Sequence, residues 1–121
     1  MINSRYITLQ LGIKKEGNDG LLIRLSNNST TSMISTLNKF AAAPVLISKK
    51  NISKTNSKYI FINSGNANAC TGIKGTKNVH AILNELAKKL DCNASEIIIM
   101  STGIIGRQLP MTRILRSISS N

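Results

Sequence analysis

Apolar residues come in short clusters separated by polar, turn-forming stretches, and the spacing inside each cluster sets the element to expect. Residues 5–13 alternate loosely, and Leu21-Leu22-Ile23-Arg24-Leu25 follows the turn signal Glu16-Gly17-Asn18-Asp19-Gly20. Two strands joined as a hairpin are the expectation. The polar cluster Ser26–Thr30 closes that unit, and Met33-Ile34-Ser35-Thr36-Leu37 reads as a further short strand. Ala42 and Ala43 precede Pro44, which biases them toward extended backbone, so Val45-Leu46-Ile47 is predicted to continue as a strand. Lys49 to Lys58 is polar without periodicity, the mark of an exposed connection.

The second half is more strongly patterned. Tyr59-Ile60-Phe61-Ile62 and Ile97-Ile98-Ile99-Met100 are apolar runs of strand length. Between them, Val79, Ile82, Leu83, Leu86 and Leu90 recur at three- and four-residue spacing, which predicts a helix over 76–90. Thr76 can cap its start, and Lys88-Lys89 suit the negative end of its dipole. Its apolar face is expected to pack on one of the two flanking strands. Pro110 suits the first turn of a second helix through Met111–Ile118. Strand, glycine-containing loop, helix, strand, glycine-containing loop, helix describes a layered α/β (α+β) arrangement with both loops leaving strand ends. Neither an internal repeat nor a linker divides the chain, so residues 1–121 read as a single unit.

The net charge of +11, from 16 Lys and Arg against five acids, raises the question of a nucleic-acid partner. The basic residues are scattered without a stripe, and Tyr6, Phe40, Tyr59 and Phe61 are too few aromatics for a base-stacking platform. A solvated basic surface is the better reading, with a small basic nucleic-acid-binding protein kept as the rival. Cys70 and Cys92 lie far apart with only His80 to join them, which offers no metal-site spacing and predicts reduced thiols. Cys70 reads as a small filler beneath a loop and His80 as a solvated side chain, since neither has a partner at a spacing that would activate it. Lys39 and Arg107 can attract carboxylates, but in so basic a chain an exposed cation needs no special explanation. No apolar run approaches membrane-spanning length, and Met1-Ile2-Asn3-Ser4-Arg5 lacks the apolar stretch of a secretory leader, so no membrane and a cytoplasmic location are expected.

Two loops carry the candidate chemistry. Ser101-Thr102-Gly103-Ile104-Ile105-Gly106, after the Ile97–Met100 run, reads as a glycine-bearing turn able to aim backbone N–H groups and a hydroxyl at a developing negative charge. Taken alone, a Ser-Thr-Gly turn is usually only a turn. Asn63-Ser64-Gly65-Asn66-Ala67-Asn68-Ala69-Cys70-Thr71-Gly72 packs amides, hydroxyls and two glycines into ten residues. It suits either a self-satisfied structural loop or one that touches a substrate.

These two blocks, with Asn38-Lys39-Phe40-Ala41-Ala42-Ala43-Pro44-Val45 before them and Leu109-Pro110-Met111 after, resemble the ornithine acetyltransferases, also called glutamate N-acetyltransferases, of arginine biosynthesis. A weaker match is Leu11-Gly12-Ile13-Lys14. The resemblance implies the N-terminal portion of a self-processing threonine-nucleophile acetyltransferase fold. It implies that Thr102 and Gly103 form the oxyanion hole for transfer of acetyl from N-acetylornithine to glutamate. It implies no resident cofactor, with acetyl-CoA open as a second acetyl donor in the full enzyme. The family's nucleophile is a threonine freed by self-cleavage, and none of Thr30, Thr31, Thr36, Thr55, Thr71, Thr76 or Thr112 lies in its context. The chain alone is therefore expected to be inactive, and its expected partner is the remaining part or β chain of the same enzyme in a hetero-oligomer of processed chains. Leu37 and Ala41 depart from the family's usual threonine and lysine, which leaves charge contacts at that block in question. Further rivals are a self-processing aminopeptidase of similar architecture and a non-catalytic remnant of the same fold.

Overall fold

The computed structural model describes residues 4–121; Met1–Asn3, part of the stretch considered above for a leader, lie outside the described residues. Strands β1 (Arg5–Leu9) and β2 (Gly20–Arg24) form the expected antiparallel hairpin, with Ile7 opposite Leu22. Helix α1 (Ala43–Lys54) follows, then β3 (Tyr59–Asn66), α2 (Gly72–Leu90), a 3-10 turn at Ala94–Glu96, β4 (Ile97–Ile104) and α3 (Met111–Ser120). The sheet order is β1-β2-β3-β4, with β2 and β3 antiparallel and β3 and β4 parallel. A parallel pair needs a long crossover, and α2 supplies it. This is the mixed α/β arrangement the pattern predicts.

The core lies between one sheet face and helices α2 and α3. Leu22, Phe61 and Ile99 stand in one register row, and Val79, Ile82, Leu83 and Leu86 of α2 with Ile114 and Ile118 of α3 close over the same cluster. Each helical set repeats every three or four residues, which holds it on one face. Helix α2 begins at Gly72, four residues before the expected start, so Thr71 rather than Thr76 stands at its cap. Pro110 stands just before α3, and its carbonyl accepts from the Arg113 and Ile114 N–H groups.

Three expectations fail. Met33–Leu37 forms no strand: Ile34 and Leu37 are fully exposed and pair with nothing. Val45–Ile47 is helical, not extended, and the polar stretch after it continues α1 to Lys54. The buried face of α1 is Pro44, Ile47, Ser48 and Asn51, a helical spacing half made of polar residues. Those polar residues meet a strand edge instead of an apolar surface. The Ser48 hydroxyl donates to the Ile99 carbonyl at 2.7 Å and accepts from the Ile99 N–H at 2.9 Å, while the Asn51 amide donates to the Ile97 carbonyl at 3.1 Å. The α1 side chains thus stand in for a fifth strand and close the outer edge of β4, which would otherwise be open to pairing.

Candidate functional site

The two chemistry-bearing blocks meet across the parallel β3–β4 pair. Ser101-Thr102-Gly103-Ile104 is not a turn after the strand: β4 runs straight through it, and the chain turns only at Ile105–Gly106. Asn63-Ser64-Gly65-Asn66 likewise belongs to β3. The register sets Asn63 beside Ser101, Ser64 beside Thr102 and Gly65 beside Gly103. Gly65 has φ +96° and Gly103 φ +132°, conformations that L side chains rarely adopt. A Cβ on Gly103 would overlap the Gly65 carbonyl carbon and lie 2.5 Å from the Asn66 nitrogen. At 103 the β3 backbone leaves no room for a Cβ, and at 65 the side chains of Ile13 and Lys14 occupy the space one would fill.

Two residues before this pair, the Ser101 hydroxyl donates to the Asn63 side-chain oxygen at 2.5 Å, and the Asn63 side-chain NH2 donates to the Asn66 carbonyl at 2.8 Å. Thr102 and Gly103 are both exposed. Ile97 and Ile99 turn their backbone groups to α1. The two-residue period of a strand then directs the Gly103 N–H to that same outer edge, beyond the last bond from α1. Side chains alternate on the same period, so the Thr102 hydroxyl leaves the sheet on the face opposite Ser101.

The asparagine-rich loop is satisfied internally and draws the later block to it. Asn66 donates to the Arg107 carbonyl at 3.1 Å and accepts from the Asn68 N–H at 2.8 Å. Asn68, fully buried, donates to the Gly75 carbonyl at 3.1 Å and accepts from the Thr71 hydroxyl at 2.7 Å. Gln108 closes the ring, donating to the Thr71 carbonyl at 3.0 Å and accepting from Asn78 at 3.2 Å. Asn68 and Cys70 hold φ values of +47° and +56°, strain that persists only where the surroundings enforce it. The Asn38–Val45 block meets this loop as well: Lys39, Phe40 and Ala43 share a cavity of about 480 Å³ with Cys70, Thr71 and Gly72. Three stretches separated in sequence thus converge at one end of the sheet.

Other candidate groups lie apart. His80 is exposed on α2, and Arg107 enters the network through its backbone alone. Cys70 is exposed on the cavity wall, whereas burial raises the pKa of the half-buried Cys92 at the opposite end of the sheet. Sequence spacing places Asp19 only in a turn, yet it is 3% exposed and its carboxylate accepts from the backbone N–H groups of Leu11 at 2.5 Å, Ile13 at 2.7 Å and Lys14 at 2.9 Å. The signal for it was an aspartate followed directly by a strand, a position where a side-chain oxygen can bind local backbone. Among the described residues no group of three His, Cys, Asp or Glu is arranged to hold a metal ion, and no helix is long and apolar enough to cross a membrane.

Together the fold and the site define an α/β protein in which a parallel glycine pair is framed by an asparagine-rich loop. Two solved structures share the fold. The arginine biosynthesis bifunctional protein ArgJ of Bacillus halodurans superposes with a TM-score of 0.89 at 28% identity, over 96% of this chain and 61% of that one. The ornithine acetyltransferase of Mycobacterium tuberculosis, solved in complex with ornithine, superposes with a TM-score of 0.90 at 31% identity, over 97% of this chain and 64% of that one. Residues 5–121 match the ArgJ family model, and the chain belongs to the ArgJ family. Curated relatives include the arginine biosynthesis bifunctional protein ArgJ of Rhodopirellula baltica, 35% identical over 117 residues and 96% of this chain. That of Streptomyces avermitilis is 41% identical over 106 residues and 86% of this chain. The chain spans 28% of the length of each of these two relatives.

Proposed function

We propose that this chain supplies the oxyanion hole of an acetyltransferase that moves acetyl from N-acetylornithine to glutamate in arginine biosynthesis. The observation that carries the reading is the Gly103 N–H directed to the uncovered length of the β4 edge, next to the exposed Thr102 hydroxyl. Attack on the acetyl carbonyl carbon turns its oxygen into an oxyanion. An N–H and an O–H already fixed toward that oxygen stabilise it without reorganising. The Gly65–Gly103 contact and the Ser101–Asn63 bond give the strand its rigidity at this point. Collapse of the tetrahedral intermediate expels the ornithine amine and leaves acetyl on the nucleophile, from which the glutamate amine takes it.

The nucleophile, a threonine with a free amine, comes in this reading from the part of the family that the chain does not span. That part, whether continuous or as a second chain in a processed hetero-oligomer, is the partner of this segment. Residues 1–121 act as one unit within it, inactive alone, in the cytoplasm where the amino-acid substrates are. The reading draws support from the solved relative that is an ornithine acetyltransferase complexed with ornithine. The nucleic-acid-binding alternative has no support from the relatives. The test is Thr102→Ala in the complete enzyme. Turnover is expected to fall about 10²–10³-fold with assembly unchanged, and Thr102→Ser to restore most of it. Unchanged turnover in Thr102→Ala removes Thr102 from the mechanism.

A further inference from the structure

A cavity of about 410 Å³ opens at the end of the sheet away from the glycine pair. Strands β3 and β4 begin there with Tyr59 beside Ile97, six residues or roughly 20 Å of strand before Gly103. Its wall carries opposite charges that do not meet: Arg24, the last residue of β2, comes from the sheet, and Asp91, at the C-cap of α2, from the helix layer. Neither takes part in the two ion pairs found among the described residues, Lys58–Glu96 and Lys88–Glu85. With 16 Lys and Arg against five acids, a carboxylate on a cavity wall without a cation is unexpected. Arg24 also stands directly opposite Arg5 across the β1–β2 hairpin, a like-charge pair that is unfavourable unless an anion joins it. The end of α2 deepens the negative side, because the last carbonyls of a helix lack intrahelical partners and carry the negative end of its dipole. The lysines of that last turn are engaged elsewhere, Lys88 with Glu85 and Lys89 on a separate cavity beside Ile118. The rest of the wall is polar and incomplete. Ser57 is 6% exposed, and among the described residues its hydroxyl is the buried side-chain polar atom left without a partner.

We propose that this cavity binds a free α-amino acid with an uncharged polar side chain, of the kind glutamine represents. The Arg24 guanidinium receives the α-carboxylate, its parallel N–H groups matching the two oxygens, and Arg5 adds its charge from the neighbouring strand. The α-ammonium goes to Asp91 and the carbonyl end of α2. A zwitterion suits the wall because it presents both signs a short, fixed distance apart, and it relieves the Arg5–Arg24 repulsion at the same time. A side-chain carboxamide brings one acceptor and two donors, which complement the amides of Asn27 and Asn56. A turn about the Ser57 Cα–Cβ bond gives the orphaned hydroxyl its partner as well. The one further charge on the wall, Lys58, is held by Glu96 at 2.7 Å, so nothing is left to receive a charged side chain. The volume lies within the range of small-molecule sites.

The test uses the complete enzyme and three probes: L-glutamine, L-glutaminamide, which lacks the carboxylate, and glutaramate, which is glutamine without its α-amine. Binding is measured by calorimetry for the wild type, Arg24→Gln and Asp91→Asn, and acetyl transfer is assayed on the same preparations without added glutamine. The wild type is expected to bind L-glutamine with a Kd of about 1 mM or below, a modest yield for a molecule of that size. Each of the other probes should bind at least about tenfold more weakly, as for the loss of a hydrogen bond between charged partners. Arg24→Gln is expected to bind glutamine and glutaminamide alike, and Asp91→Asn glutamine and glutaramate alike, with acetyl transfer unchanged in both. A wild type that gives no saturable heat with L-glutamine up to about 10 mM overturns the proposal. So does glutamine binding that either variant leaves at full strength, because it then belongs elsewhere on the enzyme. Loss of acetyl transfer together with glutamine binding, in a variant that melts as the wild type does, overturns it too by assigning the binding to the acetyl-transfer site.

Discussion

Replacing Gly103 by alanine tests the close approach of β3 and β4 without removing any hydrogen-bonding group, since alanine keeps the N–H. Two costs arise. The backbone at φ +132° is nearly closed to a residue with a Cβ, worth about 1–3 kcal/mol. The Cβ also overlaps the Gly65 carbonyl carbon, and those atoms are main chain in a paired strand, so relief requires the two strands to part, at about 1–3 kcal/mol. Together they come to roughly 2–6 kcal/mol, against a typical stability of about 5–15 kcal/mol for a folded domain. Gly106→Ala is the control: φ is +79°, but nothing lies within 4 Å of the added Cβ, so only the backbone cost of about 1–2 kcal/mol applies. The assay is urea unfolding of the complete enzyme followed by far-ultraviolet circular dichroism, because this chain contains no tryptophan to report by fluorescence. With a slope of about 2 kcal/mol per molar urea, Gly103→Ala should lower the midpoint by roughly 1–3 M and Gly106→Ala by less than about 1 M. Equal shifts for the two variants would refute the claim that backbone contact, rather than φ, demands glycine at 103.

Ser48→Ala should strip both bonds from the Ile99 backbone and leave a buried N–H and C=O without partners, at about 1–3 kcal/mol each. Faster hydrogen exchange at the Ile99 amide together with a lower unfolding midpoint is the expected outcome, and unchanged exchange would contradict the edge-closing role of α1. The Lys58–Glu96 pair, at 2.7 Å, holds the Glu96 pKa below its usual value, chiefly through the hydrogen bond from Lys58. A depressed folded pKa contributes stability that is present above the unfolded carboxylate value of about 4.3 and is lost as pH falls through the folded one. Thermal melts on the acid side should therefore show a shallower loss of stability in Glu96→Gln than in the wild type.

Strands β3 and β4 and helix α2 were legible because their burial is apolar on apolar, the case in which hydrophobic spacing reports structure directly. Helix α1 was not. Ser48 and Asn51 occupy half of its inward face, so the spacing of apolar residues alone shows only the Pro44-Val45-Leu46-Ile47 run, which resembles a strand. The polar residues are inside because they satisfy backbone groups of β4, a requirement set by tertiary structure. Met33–Leu37 failed for the opposite reason: its composition suits a strand, but its Ile34 and Leu37 pack on nothing and the segment pairs with neither sheet edge. At the site, the Ser-Thr-Gly and Asn-Ser-Gly-Asn blocks were recognisable from residue type. That they lie side by side as paired strands, with glycine against glycine, depends on the β3–β4 register. The placement of Asp19 and Lys14 is not legible in the sequence because it arises from a loop folding back onto β3, a contact across about 50 positions that local spacing does not encode.

The way α1 seals β4 has a consequence for what the strand can host. Its polar side chains end their reach at Ile99, so the first part of the edge is closed to any other chain and the part from Ser101 onward remains accessible. The length and phase of one helix thus act as a ruler along the strand, marking where protection against unwanted pairing gives way to exposed main chain. Shifting Ser48 and Asn51 by a single helical turn, about 5.4 Å against a rise of about 3.3 Å per strand residue, would move that boundary by one or two residues, toward Gly103 in one direction and away from Ile99 in the other.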